Sequence, residues 1–242
     1  MSGPKPERRD WLTARPYAHR GLHGSGVSEN GMAAFDAAIA AGHGIECDVR
    51  ASADGIAFIH HDATLTRMTG DDRALAALPA AALDSVTLPD GGVLPSLSAL
   101  LDRTGGTIPL LVEIKLDRGP ASTLCRAVAR DLAAWPGAPV AIMSFDPRVP
   151  AWFARHRPDI ARGLVVTQQG RRSLRGMIER HLALSLAHPD FLACDIRDLP
   201  SPFSRRARRR GLPVLTWTVR SEADRASAAA HADQIIFERP HG

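Results

Sequence analysis

The sequence predicts an α/β chain folded as a (β/α)8 TIM barrel with a small insertion after the second strand. Three observations carry this reading. The 242 residues match the ~250 of such a barrel, which stays one domain around one core. Short β-branched or apolar runs alternate with longer Ala- and Leu-rich segments, the pattern of parallel strands joined by crossover helices. There are eight such runs, and no GxGxxG follows the first, as a dinucleotide-binding doubly wound sheet would require.

In chain order the strands are expected at PYAH (16–19), IECDV (45–49), LLVEIK (110–115), AIMSF (141–145), GLVV (163–166), FLACD (191–195), PVLTWTV (213–219) and QIIF (234–237). Helices are expected over Asn30–Ala41, Ala121–Trp135, Arg172–Ala187 and Ser221–His231, opened or closed by Ser, Asn, Gly or Pro. One further short strand, IAFIH (56–60), follows Asp54-Gly55, a strong hairpin signal because a type I′ turn needs positive φ at both central residues. Residues 63–95, rich in Gly, Asp, Pro and Ala, are expected to form the insertion over the barrel mouth, within a single domain spanning 1–242.

Composition narrows the class. With 45% hydrophobic and 23% charged residues the chain is globular rather than disordered. Its apolar runs fall far short of a membrane span. The N-terminal MSGPKPERRDWLTARP has no apolar h-region, so a cytoplasmic protein is expected. Cys47, Cys125 and Cys194 are too far apart for a CxxC metal site and odd in number, so buried thiols are expected. The net charge of +4 favours anionic ligands without choosing among them. Much of it lies in Ser204–Arg210, where no aromatics interleave, and a solvated helix face is expected rather than a nucleic-acid site.

The chemistry is concentrated in GIECDVRASADGIAFIHHD (44–62). If Asp54 and Gly55 are the central turn residues, Ala53 faces Ile56 and the ladder runs down to Asp48 opposite His61. Opposed residues and i, i+2 residues share a face. Glu46, Asp48 and His61 then point one way, while Cys47, Val49 and His60 point the other. Glu113 and Lys115 repeat the i, i+2 relation in LLVEIK, and His19 and Arg20 close the first strand. All lie at strand ends that reach the carboxyl rim, where sites sit in this fold.

Carboxylates aimed into a barrel are costly unless paired or bound to a cation. Salt bridges to Arg20, Arg50 and Lys115 are one solution. Convergence of Glu46, Asp48 and Glu113 beside two histidines favours a hard divalent ion, Mg²⁺ or Ca²⁺. A cation with flanking Arg and Lys could neutralise phosphate oxygens, and His19 and His61 could exchange proton-transfer roles near neutral pH.

The pieces AHRG (18–21), SENGMAAFDAAIAAG (28–42), IECDV, ADG…HHDATLTRMTG (53–70), LPSLSALLD (94–102), VEIK (112–115), MSFDP (143–147) and VLTWTVR (214–220) resemble the glycerophosphodiester phosphodiesterase family. The resemblance implies a TIM barrel with a divalent metal on Glu46, Asp48 and Glu113. His19 and His61 would be the catalytic pair, with Arg20 and Lys115 on the phosphate and Glu29 supporting Arg20 or the metal shell. From their positions alone, Asp62 is read as an orienting residue rather than a ligand, and Trp217 as either pocket lining or simple core. The resemblance implies attack by the substrate's own glycerol hydroxyl, a cyclic glycerol phosphate, and products glycerol 3-phosphate and an alcohol, within lipid and glycerol metabolism. The partner is a small phosphodiester, with no nucleic acid and no stable membrane insertion. The chain departs from the family pattern at Ser28, Gly31, Arg220 and Phe237-Glu238, the last two at the ends of strands seven and eight, where substrate is contacted. Two alternatives remain at this stage. One is a lysophospholipase D activity, which needs an apolar groove near 63–95; the other is a degenerate phosphate-binding barrel.

Overall fold

A computed structural model describes residues 10–116, 119–170 and 173–239. Its strands are β1 (Tyr17–His19), β2 (Gly44–Ala51), β3 (Ala57–Ile59), β4 (Leu110–Ile114), β5 (Val140–Ser144), β6 (Ala161–Val166), β7 (Phe191–Asp195), β8 (Val214–Val219) and β9 (Gln234–Phe237). All but β3 form a parallel ring in the order β1-β9-β8-β7-β6-β5-β4-β2, which the β1–β2 pairing closes. These are the eight barrel strands expected from the sequence, with ends moved by at most two residues.

The crossovers carry helices Met32–Ala40, Leu97–Thr104, Ser122–Ala133, Arg148–His156, Leu174–Ala187, Pro202–Arg209 and Glu222–His231. Arg172, the expected start of the fifth of these, lies outside the described residues. Local chemistry sets several starts: Ser96 and Ser173 accept from the backbone N–H three residues on, and Ser201 with Ser204 and Ser221 with Asp224 form capping boxes.

Alternation along each strand divides the packing into two layers. Ile45, Cys47 and Val49 face outward with Val112 and Ile114 against Phe35, Leu100, Leu124 and Val128 of the helices. Inside the ring, Tyr17, Leu111, Met143, Val165, Phe191, Leu215 and Ile236 fill the barrel, joined by Leu12 from the short helix Trp11–Ala14. Two of the largest side chains there need glycine opposite them. A Cβ on Gly44 would lie 2.6 Å from the Tyr17 ring, and one on Gly163 would overlap the Phe191 ring. The apolar plug leaves the carboxyl ends of the strands for polar groups.

The hairpin differs from expectation. Val49 pairs with Ile59, Arg50 with Phe58 and Ala51 with Ala57, so the ladder is one residue out and Asp48 stands opposite His60, whose N–H donates to the Asp48 carbonyl at 2.9 Å. The turn is the cause. Only Gly55 (φ 79°) is left-handed, and its N–H returns to the Ser52 carbonyl at 3.0 Å, so the loop is Ala53-Asp54-Gly55 with a glycine bulge rather than a two-residue type I′ turn. Ser52 Oγ accepts from the Ile56 N–H and donates to Asp54, which in turn accepts from Ala80 N–H.

The segment after β3 packs Leu65, Leu75, Leu78, Leu83, Leu88 and Leu94 with Phe58 into a small core of its own. All three cysteines are buried and unpaired, as expected. Arg205, Arg206, Arg208, Arg209 and Arg210 are exposed at the end of the Pro202–Arg209 helix, with Arg208 paired to Asp233. Among the described residues no helix is long and apolar enough to cross a membrane.

Candidate active site

Strand register brings the expected residues together. In the parallel pairs His19 lies beside Glu46 and Asp48 beside Glu113. Each is inward-facing at the carboxyl end of its strand, because the apolar residues of β2 and β4 claim the helix-facing side. His61 arrives differently: β3 ends at Ile59 and the chain bends at His61, turning it into the cavity that Glu46 and His19 line. The expected sidedness therefore holds although the ladder that predicted it does not. His60 faces away, 2% exposed, with Nε2 3.0 Å from the Thr64 carbonyl.

Glu46 and Asp48 are each 1% exposed and Glu113 6%. One carboxylate oxygen from each lies within 4.8 Å of the others. Asp48 is the most supported. Asn30 Nδ2 donates to its Oδ2 at 3.0 Å and Asn30 Oδ1 accepts from its backbone N–H, while Arg20 Nε and Lys115 Nζ stand 3.2 and 3.1 Å from its carboxylate. Arg20 also reaches Glu29 at 2.8 Å, and its own N–H donates to Glu46 Oε2. Lys115 Nζ is 2.5 Å from Glu113 Oε1. The salt-bridge reading thus holds for Arg20 and Lys115, and Arg50 Nε donates to the His61 carbonyl.

Two cations do not satisfy three buried carboxylates. Glu46 Oε1 has no hydrogen-bond donor among the described residues, and Asp48 Oδ1 and Glu113 Oε1 share the single Lys115 ammonium at 3.1 and 2.5 Å. The electrostatics follow. Burial pushes the Glu46 carboxyl well up, with Asp48 and Glu113 adding to the rise. Burial pushes Glu113 up to about 7 against the pull of Lys115. Asp48 is also penalised by burial, but Lys115 and Arg20 more than reverse this and hold it below the usual carboxylate range. An all-oxygen cluster in which one ammonium is shared by Asp48 and Glu113 and Glu46 Oε1 has no donor fits a hard divalent cation.

Each histidine is held at Nδ1. His61 Nδ1 lies 2.7 Å from Asp62 Oδ1, and Arg67 Nε holds the other oxygen of Asp62 at 2.6 Å while reaching Glu29. Burial lowers the His61 pKa against the pull of Asp48 and Asp62. His19 Nδ1 lies 2.6 Å from Glu238 Oε1, and Arg220 grips both oxygens of Glu238 at 2.6 and 2.9 Å. The mouth cavity, about 500 Å³, is lined by His19, Arg20, Glu46, His61, Glu113 and Lys115 together with Phe145 and Trp217. Trp217 stands edge-on to Phe145, centroids 5.5 Å apart, and its Nε1–H donates to the Ala193 carbonyl. No residue of 63–95 lines this cavity.

Sequence reasoning left Asn30 and Arg67 out of the site and marked Arg220 and Glu238 only as departures at strand ends where substrate is contacted. Asn30 carried a signal, standing next to Glu29 inside the SENG motif. Arg67 and the joining of Arg220 to Glu238 become visible only through long-range pairing.

A closed parallel barrel whose carboxyl mouth joins an acidic cluster, two carboxylate-held histidines and an Arg/Lys pair defines a phosphoric diester hydrolase of the TIM-barrel class. The chain belongs to the glycerophosphoryl diester phosphodiesterase family, whose model matches residues 19–241. Solved structures share the fold. A phosphodiesterase from Oleispira antarctica, in complex with the product sn-glycerol-3-phosphate, is 23% identical with TM-score 0.81 over 94% of each chain. Glycerophosphodiester phosphodiesterases from Parabacteroides distasonis (21% identical, TM-score 0.77, 92% of each chain) and Thermotoga maritima (22%, 0.74, 91% of this chain and 92% of that one) are similar. No curated protein matches the chain.

Proposed function

We propose that the chain, as one catalytic domain over 1–242 with 63–95 as its insertion, hydrolyses glycerophosphodiesters to glycerol 3-phosphate and an alcohol with the help of Mg²⁺ or Ca²⁺. The observation that carries this is the buried Glu46–Asp48–Glu113 cluster, short of donors, set beside two histidines whose Nδ1 atoms are already occupied. Glu46, Asp48 and Glu113 would hold the cation, which when bound would supply positive charge to the phosphate oxygens. Arg20 and Lys115 add fixed donors on the same side. One of His19 and His61 takes the proton of the attacking glycerol hydroxyl as its oxygen bonds to phosphorus, and the other protonates the alcohol oxygen as its bond to phosphorus breaks. Water then opens the cyclic phosphate with the roles reversed.

Glu29 supports this by fixing Arg20 and Arg67, and Asp62 by fixing His61. Trp217 and Phe145 form the apolar wall against which the substrate's organic groups rest. Three buried, unpaired thiols fit a reducing, cytoplasmic setting. The test is release of glycerol 3-phosphate from a panel of glycerophosphodiesters and one lysophospholipid by chelator-treated protein given Mg²⁺ or Ca²⁺. Metal-dependent release from the small diesters is expected. No release from any of them overturns the reading, and faster turnover of the lysophospholipid replaces the substrate class.

A further inference from the structure

His19, at the end of β1, and His61, just after β3, are held in the same way. His61 Nδ1 rests on Asp62, and Asp62 is held by Arg67. His19 Nδ1 rests on Glu238, 219 positions away, and Glu238 is held by Arg220 from the neighbouring strand end. Glu238 is 7% exposed, so its carboxylate meets few competing waters, whereas the Arg220 side chain is 54% exposed and reaches in from the rim. We propose that Arg220 and Glu238 are a positioning pair for His19, the counterpart of Arg67 and Asp62 for His61, and that both pairs fix Nδ1–H so that each imidazole offers Nε2 to the reacting phosphodiester. The proposal rests on the hydrolase reading for its kinetic consequence, though not for the tautomer itself.

The physical reasoning is that of any carboxylate–imidazole pair. A carboxylate only accepts hydrogen bonds, so a 2.6 Å contact requires the proton to sit on Nδ1. The Arg220 hydrogen bonds, with that from His19, hold Glu238 below the usual carboxylate range against the opposing effect of burial, so it stays an acceptor. The other ring nitrogen of His19, Nε2, lies 3.9 Å from Glu46 Oε2, on the side of the acidic cluster. A bidentate guanidinium allows Glu238 one orientation. Without it the carboxylate can rotate and the ring can settle in the other tautomer, which donates from Nε2 and cannot accept a proton there.

The arrangement has a rival. His19, His23 and Glu238 offer ligand atoms within 4.8 Å of one another and could be read as a second cation site. Against this, the nearest charge on Glu238 is the Arg220 guanidinium, which repels a cation from the same oxygens.

The test combines ¹⁵N-imidazole spectra with kinetics on the full chain. In wild-type protein at neutral pH, His19 is expected to show the Nδ1–H tautomer, and Glu238→Gln is expected to lose it. Glu238→Gln and Arg220→Gln should each lower kcat by roughly 10–100-fold with KM within about twofold. The double variant should be no slower than Glu238→Gln alone, because both act on one group, and Arg220→Lys should recover part of the loss. Arg220 is largely exposed, so its variants keep the measurement available if Glu238→Gln fails to fold. A raised KM at constant kcat would make Arg220 a substrate contact and overturn the pairing. Restoration of Glu238→Gln by excess divalent cation would establish the rival site, and an unaltered His19 tautomer in Glu238→Gln would also refute the proposal. Wild-type protein inactive on every diester yet showing the Nδ1–H tautomer would sink the hydrolase reading while leaving the pairing in place.

Discussion

Cation removal has a consequence for stability that can be worked from Glu113. Burial pushes its carboxyl up to about 7 from the ordinary 4.5, with Asp48 adding to the rise and Lys115 opposing it. A carboxyl that holds its proton more tightly in the folded chain stabilises the fold fully below pH 4.5 and loses that contribution as pH rises through about 7. At 1.36 kcal/mol per tenfold difference in proton affinity, the loss is about 3 kcal/mol. Glu46 is raised in the same direction and adds to it; Asp48 is depressed and titrates below this window. In a chain of this size ~3 kcal/mol corresponds to roughly 6–12 °C in Tm. Chelator-treated wild type should therefore lose that much more Tm than Glu113→Gln between about pH 4.5 and 8, since the amide has no proton to lose and the comparison cancels titrations common to both. Added Mg²⁺ or Ca²⁺ should stabilise wild type more at pH 8 than at pH 5, because ligation needs the deprotonated carboxylate. Scanning calorimetry at both pH values checks this. A metal-free Tm that falls no faster with pH than that of Glu113→Gln, or a cation shift equal at the two pH values, would refute it.

Other outcomes follow from the same geometry. His19→Ala and His61→Ala should each lower kcat by about 10²–10⁴-fold in a glycerol 3-phosphate release assay, with the fold intact by circular dichroism. Gly163→Ala forces a methyl into the Phe191 ring and should cost about 1–3 kcal/mol in urea denaturation. Gly55→Ala meets no neighbour within 4 Å, so its cost of about 1–2 kcal/mol in the same measurement should come from the left-handed φ of 79° alone and leave kcat unchanged.

The barrel was legible because each strand carries its own signal. Buried parallel strands read as short apolar runs, and the inward carboxylates of IECDV and VEIK stand out at i, i+2 against outward Cys47, Val49, Val112 and Ile114. The hairpin register was not legible at the level of one residue. Asp54-Gly55 suits either a two-residue turn or a three-residue bulged loop, and the choice lies in contacts beyond it: Ser52 capping Ile56, Leu78 accepting the Ala53 N–H, and Ala80 bonding to Asp54. The insertion supplies the last two, so the turn cannot be settled from its own residues. The side of His61 survived the error because its position depends on where β3 stops rather than on the ladder.

Glu238 and Arg220 show a different kind of illegibility. Each stands out in the sequence as a departure at a strand end, and taken singly each suggests only altered contact with the substrate. They are 18 positions apart, each just past the end of one of two adjacent strands, and Glu238 meets His19 only where β9 pairs with β1 to complete the ring. Tyr17 and Ala18 lie beside Ile236 and Phe237 in that pairing, so the residues that follow, His19 and Glu238, leave the rim side by side. Arg220 follows β8 in the same way, with Val219 registered against Phe237. Closure thus converts two unrelated departures into one hydrogen-bonded unit on a catalytic imidazole. A change at either position alone leaves a buried carboxylate without its guanidinium or a guanidinium without its carboxylate, so the two are expected to tolerate substitution together better than apart.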